Sequence, residues 1–409
     1  MMQPTVYPFL MSLLRGAETE DLAPSSLNAQ AWEQIITDAT RQGLLPILYR
    51  WIKTSDSGRM PPAALLDQVR EAVVGLAVRN VLLAQELGSI LRACEARGVA
   101  CVPLRGLALA ELLYGDITTT RPMGDLDLLV RKEELHGVAA ILKGLGFQEV
   151  DRRPGFARAF SCTLEFFKER HGWVIVEPHW SIAYPPFVDR VDMDLVWKRC
   201  ARGRVAGMEA WLLGRVDLLM HLCFHLIHRG ESAPLLWLYE LDRLLRQDIT
   251  ALDWSEVVFL TRQAGLEVFV AEALGRLKVL FDSPIPDDVL SQLKAQRRSR
   301  PAPALESRLL DLLARESYID GGESFALLFT IKGLRTKIRY ALALLFPSSQ
   351  FMLLHYGLSS RKQLALSYLT RVVHFCWEGL KGIGGLLRSS RVPPVVAATK
   401  PEPRHKCGG

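Results

Sequence analysis

The sequence predicts an α+β protein: a small mixed β-sheet core flanked by N-terminal and C-terminal helical regions. Three observations lead there. Short apolar runs alternate with helical stretches between about residues 98 and 185. On either side, apolar residues recur at helical spacing instead. The chain has 409 residues, 49% hydrophobic and 23% charged, which exceeds one ordinary core and excludes wholesale disorder.

Residues 1–97 read as helices. Trp32, Ile35, Ile36, Leu44 and Leu45 form a broken helical pattern within Ala31–Trp51, Gly58–Pro62 marks a turn, and Ala63–Arg97 is a long helix. This region is packing for the core that follows. The core, 98–185, opens with the strand Val102–Leu104, which stops at Arg105-Gly106. Leu107–Tyr114 is helical, and a loop to Gly124 delivers Asp125-Leu126-Asp127 at the head of a second strand ending at Val130. Lys132–Leu145 is a helix closed by Gly144 and Gly146. Phe147–Arg152, Phe156–Phe167 and Val174–His179 read as further strands. From about Val188 the pattern turns helical, giving a third region, 186–300. Pro301–Pro303 marks a linker to a basic amphipathic extension, 301–390, and the proline-rich tail 391–409 reads as disordered.

Residues two apart on a strand share a face, so Asp125 and Asp127 point the same way, about 6–7 Å apart at Cα. A divalent cation reconciles such a pair; a solvated strand end bearing two acids is the plainer reading. In the last strand Ile175, Glu177 and His179 share a face, which lets Glu177 stand beside the aspartates. Pro178 cannot donate a ladder hydrogen bond, placing this motif at a strand end or sheet edge. His221, His225 and His228 share one helical face. With no carboxylate near them in sequence, they read as a hydrogen-bonded helix interface in preference to a metal triad or a phosphate-binding face.

Charge and cysteine usage bound the setting. From Gly321 onward there are 13 Lys/Arg against 3 Asp/Glu, whereas the preceding 320 residues carry 37 against 41. The basic character therefore belongs to the C-terminal extension, with Lys332, Arg335, Lys337, Arg339, Arg371, Lys381 and Arg388 on its amphipathic segments. That pattern suits an anionic membrane surface or nucleic acid. The seven scattered cysteines contain no CxxC pair, which argues for reduced thiols and against a zinc ribbon. The N-terminus lacks the basic and apolar regions of a signal peptide, and no uninterrupted apolar run reaches the roughly 18–20 residues of a membrane span. These features predict a cytoplasmic protein, peripheral at the membrane if the basic extension attaches there.

The order of motifs Arg105-Gly106, Tyr114, Arg121-Pro122, Asp125-Leu126-Asp127-Leu128-Leu129-Val130 and Glu177-Pro178-His179-Trp180 resembles the uncharacterised nucleotidyltransferase family within the nucleotidyltransferase (DNA polymerase beta-like) superfamily. The resemblance runs from the first helices to about Asp282, with its sharp motifs between Arg105 and Trp180. Arg105 stands where the family more often has Lys, and the superfamily's Gly-Ser or Gly-Gly turn is absent. The resemblance implies transfer of a nucleoside monophosphate from an NTP to an acceptor hydroxyl, with Mg²⁺ or Mn²⁺ as cofactor. It implies Asp125, Asp127 and Glu177 as metal-holding catalytic residues, and Arg105, Gly106 and Arg121 as nucleotide-binding. It also implies His179 and Asp242 as substrate-orienting, and the region 186–300 as a helical domain closing the cleft. Two other classes stand beside this one: an inactive scaffold using the basic extension, and a toxin-like nucleotidyltransferase acting on RNA or protein.

Overall fold

The computed structural model describes residues 6–16, 27–54, 60–150, 155–169, 172–185, 187–247, 252–295, 328, 331, 333–356 and 361–388. The linker Pro301–Pro303, the tail from 391 and residues 58 and 59 of the turn Gly58–Pro62 lie outside them.

Four helices come first: α1 (Val6–Leu14), α2 (Ala29–Arg41), α3 (Leu45–Thr54) and α4 (Ala63–Glu95). Asn28 caps α2 by accepting the Ala31 amide, which fixes where that helix starts. Helix α4 is long and apolar enough to cross a membrane by length and composition. Its Leu83, Leu87, Ile90 and Leu91 nevertheless pack into the core on one face of the sheet.

The core follows as β1 (Val102–Pro103), α5 (Leu107–Tyr114), β2 (Asp125–Leu129), α6 (Leu135–Gly144), β3 (Gln148–Glu149), α7 (Phe156–Phe160), β4 (Phe166–Glu169) and β5 (Trp173–His179). The five strands form one mixed sheet in the order β1-β2-β5-β4-β3. β2 and β5 are parallel neighbours, while β1–β2, β5–β4 and β4–β3 are antiparallel. Alternation along β2 sends Leu126 and Leu128 into the layer made by α4 and α6, and turns Asp125 and Asp127 to the other face.

Three expectations change here. The stretch Phe156–Phe167 is not one strand: it begins as α7, which sets Phe156 and Phe160 one helical turn apart on a single face, where both close on Tyr340 at 5.9 and 4.9 Å between ring centroids. β5 is a central strand, so Pro178 marks a strand end and not an edge; its carbonyl accepts the Leu164 amide at 3.1 Å. Third, the chain after Val188 is not wholly helical. Helix α8 (Met193–Arg199) leads into a hairpin, β6 (Ala201–Val205) and β7 (Met208–Leu212). Its two-residue turn has positive φ at Ala206 (53°) and Gly207 (77°), which matches the twist of paired strands.

Helices α9 (Arg215–Arg229), α10 (Leu235–Gln247), α11 (Trp254–Ala264), α12 (Glu267–Phe281) and α13 (Asp287–Ala295) complete the main body. They share one hydrophobic core with α1–α3: Leu10, Trp32 and Leu48 lie in the same cluster as Leu219, Leu241 and Leu274. Helices α1–α3 thus share their core with the late helices, and of the first four helices it is α4 that packs on the sheet. Beyond this body stand α14 (Leu334–Leu345), α15 (Ser349–Tyr356) and α16 (Arg361–Arg388).

Candidate active site

The register of β2 and β5 decides the site. Asp125 lies beside Ile175, Asp127 beside Glu177 and Leu129 beside His179, so both aspartates, Glu177 and His179 project from one face of adjacent strands. Ligand atoms of Asp127, Glu177 and His179 lie within 4.8 Å of one another. They line a cleft of about 460 Å³ whose floor is the sheet and whose far wall is α9 and α10.

The turn after β1 supplies the cleft's first cation. Gly106 has φ 50° and ψ −112°, a conformation that favours glycine, and its turn aims Arg105 at the acids. Arg105 Nη2 meets Asp127 Oδ2 at 2.7 Å, and another of its N–H groups donates to His225 Nε2. The buried Arg105 Nε–H makes no hydrogen bond among the described residues. Arg121 reaches the same cleft from the following loop. Asp116 organises that loop by accepting the backbone amides and hydroxyls of Thr118 and Thr119, and Asn80 of α4 holds it by donating to the carbonyls of Thr118 and Arg121. Arg121 Nη1 donates to the Gly106 carbonyl at 3.2 Å, and Arg121 Nε stands 3.2 Å from Glu240 Oε1.

The two aspartates carry their charge differently. Burial pushes Asp127 upward, but Arg105 and then the His179 hydrogen bond overcome it, holding the carboxyl well below the usual range. Burial, reinforced by the Asp127 charge, pushes Asp125 up to about 6. His179 Nε2 donates to Asp127 Oδ1 at 2.9 Å and lies 3.6 Å from Glu177 Oε2. Burial draws His179 down, yet the Asp127 hydrogen bond wins and keeps the imidazole protonated well above its usual range.

The far wall is built from the histidine helix. His221 donates through Nδ1 to the Ile182 carbonyl at 2.9 Å, and burial pulls it down to about 3. Burial and Arg105 hold His225 well below its usual range, so it is neutral. Because a guanidinium can only donate, His225 Nε2 is the acceptor; Nδ1 then carries the proton and donates to the Tyr184 oxygen at 2.9 Å. The Tyr184 ring stacks on His228 at 4.5 Å, and His225 packs on Trp237 at 4.0 Å. As the spacing predicts, the three histidines share a face, but none joins the acid cluster; the one metal-ligand group among the described residues is Asp127, Glu177 and His179.

Of the residues singled out in sequence, Asp125, Asp127, Glu177, His179, Arg105, Gly106 and Arg121 all line the cleft. Asp242 does not. Its carboxylate accepts from Arg246 Nε at 2.9 Å and Ser283 Oγ at 2.6 Å, within the helical packing. Glu240, two residues earlier on α10, faces the cleft instead. At 100° per residue these two acids stand about 200° apart on the helix, so only one can face the sheet. Trp237, Glu240 and Leu241, at i, i+3 and i+4, were the legible signal for that inner face. Tyr184 and the segment Ser161–Thr163 carried no motif, and only the fold brings them to the cleft.

The arrangement defines an α+β protein with carboxylates in register beside partly engaged guanidiniums, a site able to hold a cation and an anionic ligand together. A family model described as uncharacterised nucleotidyltransferase matches residues 28–282, and the chain belongs to that family. Neither the curated proteins nor the solved structures give a match.

Proposed function

We propose that the cleft transfers a nucleoside monophosphate from an NTP to an acceptor hydroxyl, with Mg²⁺ or Mn²⁺ as cofactor. The observation that carries this reading is the pairing of Asp127 with Glu177 across parallel strands, with Asp125 on the same face. The residues present fit a divalent cation. The carboxyls of Asp127 and Glu177 converge with His179, and Asp125 lines the same cleft from the same strand face; lifted to about 6, it is an acid whose negative charge the surrounding protein leaves poorly compensated. Asp125, Asp127 and Glu177 would hold the metal. When bound, it neutralises triphosphate charge and polarises the reacting oxygens.

The remaining chemistry belongs to the chain. Arg105 Nε offers an unused donor to a phosphate oxygen, and Arg121 adds positive charge at the same wall. Gly106 presents backbone where a side chain would stand over the ligand. The acceptor oxygen bonds to the α-phosphorus, the bond to pyrophosphate breaks, and the hydroxyl proton passes to Glu177, which is 28% exposed. Tyr184, His225 and Trp237 form a rigid aromatic wall that excludes water and orients the substrate.

One observation favours an inactive binding protein: Arg105 and His179 engage both oxygens of Asp127. Incubating the protein with each labelled NTP, Mg²⁺ or Mn²⁺ and cell extract decides between them. Label transferred by the wild type and absent with Asp127→Asn supports transfer. No transfer with any NTP, alongside unaltered nucleotide binding, supports the scaffold.

A further inference from the structure

The C-terminal helices α14–α16 carry two apolar stripes that the fold leaves in solvent. On α14, Leu334, Ile338 and Leu342 are 74, 49 and 52% exposed; on α16, Leu366, Leu369 and Val373 are 61, 62 and 62% exposed. At 100° per residue each set falls within about 80° of its helix circumference, so each is a continuous face. Isolated exposed aliphatics are ordinary, but contiguous ones mark a binding surface.

These helices are not loose. Tyr368 donates to the Pro347 carbonyl at 2.6 Å and Arg371 Nε to the Leu344 carbonyl at 2.8 Å, tying α16 to α14 and to the turn before α15. Tyr340, 1% exposed, fixes α14 on Phe156 and Phe160 of α7. The inward side is therefore used, and the stripes are what remains outside. Charge says what covers them. From Leu334 to Arg388 the chain has eight Lys/Arg and one acid, Glu378. Exposed Arg335 and Arg339 lie on the stripe side of α14.

From this we infer that α14 and α16 dock the protein on an anionic lipid bilayer, aliphatic stripes entering the headgroup boundary and Arg335 and Arg339 meeting lipid phosphates. Nucleic acid would use the charge but gain nothing from exposed Leu and Val. A second copy would bring two basic surfaces face to face. Docking also places the active cleft near the bilayer, because α7, on which Tyr340 sits, runs directly into the cleft-lining residues Ser161–Thr163. The inference does not depend on the reaction proposed above.

Flotation of the full chain with phosphatidylcholine vesicles, with and without phosphatidylglycerol, tests it. Wild type floats only with the anionic vesicles. The triple variant Leu366→Ser, Leu369→Ser, Val373→Ser loses most of the bound fraction, and so does Leu334→Ser with Ile338→Ser. All five positions are solvent-exposed, and an unchanged melting temperature confirms that the variants fold. Arg335→Gln and Arg339→Gln each weaken binding about five-fold, equivalent to about 1 kcal/mol. Equal flotation with neutral vesicles, or with both serine variants, overturns the proposal. So does a dimer that the triple variant disperses, or a nucleic-acid complex that it leaves intact, when neither is accompanied by flotation.

Discussion

The strand wall of the cleft and the histidine helix opposite it handle buried polarity in opposite ways. The strand wall concentrates charge: Asp127 is 5% exposed at its side chain and survives ionised because Arg105 and His179 both engage it. On the helical wall α10 brings Glu240 to Arg121, but the histidine helix α9 avoids charge: His221 and His225, equally buried, are kept neutral and donate one hydrogen bond each to a carbonyl or a hydroxyl. The difference teaches where binding energy is stored. A paired buried charge is costly to break, whereas a neutral buried imidazole is costly only to protonate.

The largest expected effect comes from breaking the charged wall at its hub. Asp127→Asn should abolish nucleotidyl transfer and cost about 3–5 kcal/mol in urea unfolding, because it strands Arg105 and His179. Unaltered stability would mean that the hub is solvated and the contrast between walls is false.

Acid should attack the helical wall next. His221 has a folded pKa of about 3 against an ordinary value of 6.5. The unfolded chain therefore binds the proton first, and stability is lost as pH falls from 6.5 toward 3. His221→Asn, which still donates a hydrogen bond but cannot protonate, should flatten that acid limb by about 3 kcal/mol at pH 4. A variant as acid-sensitive as the wild type would refute the neutral wall.

Asp125 has the opposite sign. With a folded pKa of about 6 against 3.8, it takes up a proton on folding, so its contribution worsens as pH rises through 6. In metal-free protein Asp125→Asn should gain about 1–3 kcal/mol at pH 8 and nothing below about pH 4, while losing activity. Destabilisation at pH 8 would show that Asp125 already has a compensating partner.

The smallest effect sharpens the same point. Added Mg²⁺ should raise the melting temperature of wild-type protein at pH 8 by a few degrees, less at pH 5, and least in Asp125→Asn. An identical shift in all three would place cation binding elsewhere.

What the sequence determined by itself was local. Period-two alternation placed Asp125 with Asp127, and Glu177 with His179, and the structure keeps each pair on its strand face. The turn at Arg105-Gly106 and the helix bearing three histidines were legible because spacing within one element fixes direction. Tertiary structure decided everything that depends on which elements meet. The parallel β2–β5 register set Asp127 beside Glu177, since nothing along either strand specifies its neighbour. The rotation of α10 chose Glu240 over Asp242, because packing of Leu238, Leu241 and Leu245 fixed which side faces the sheet. The packing of Tyr340 on Phe156 and Phe160 is likewise a long-range contact that no local pattern announces.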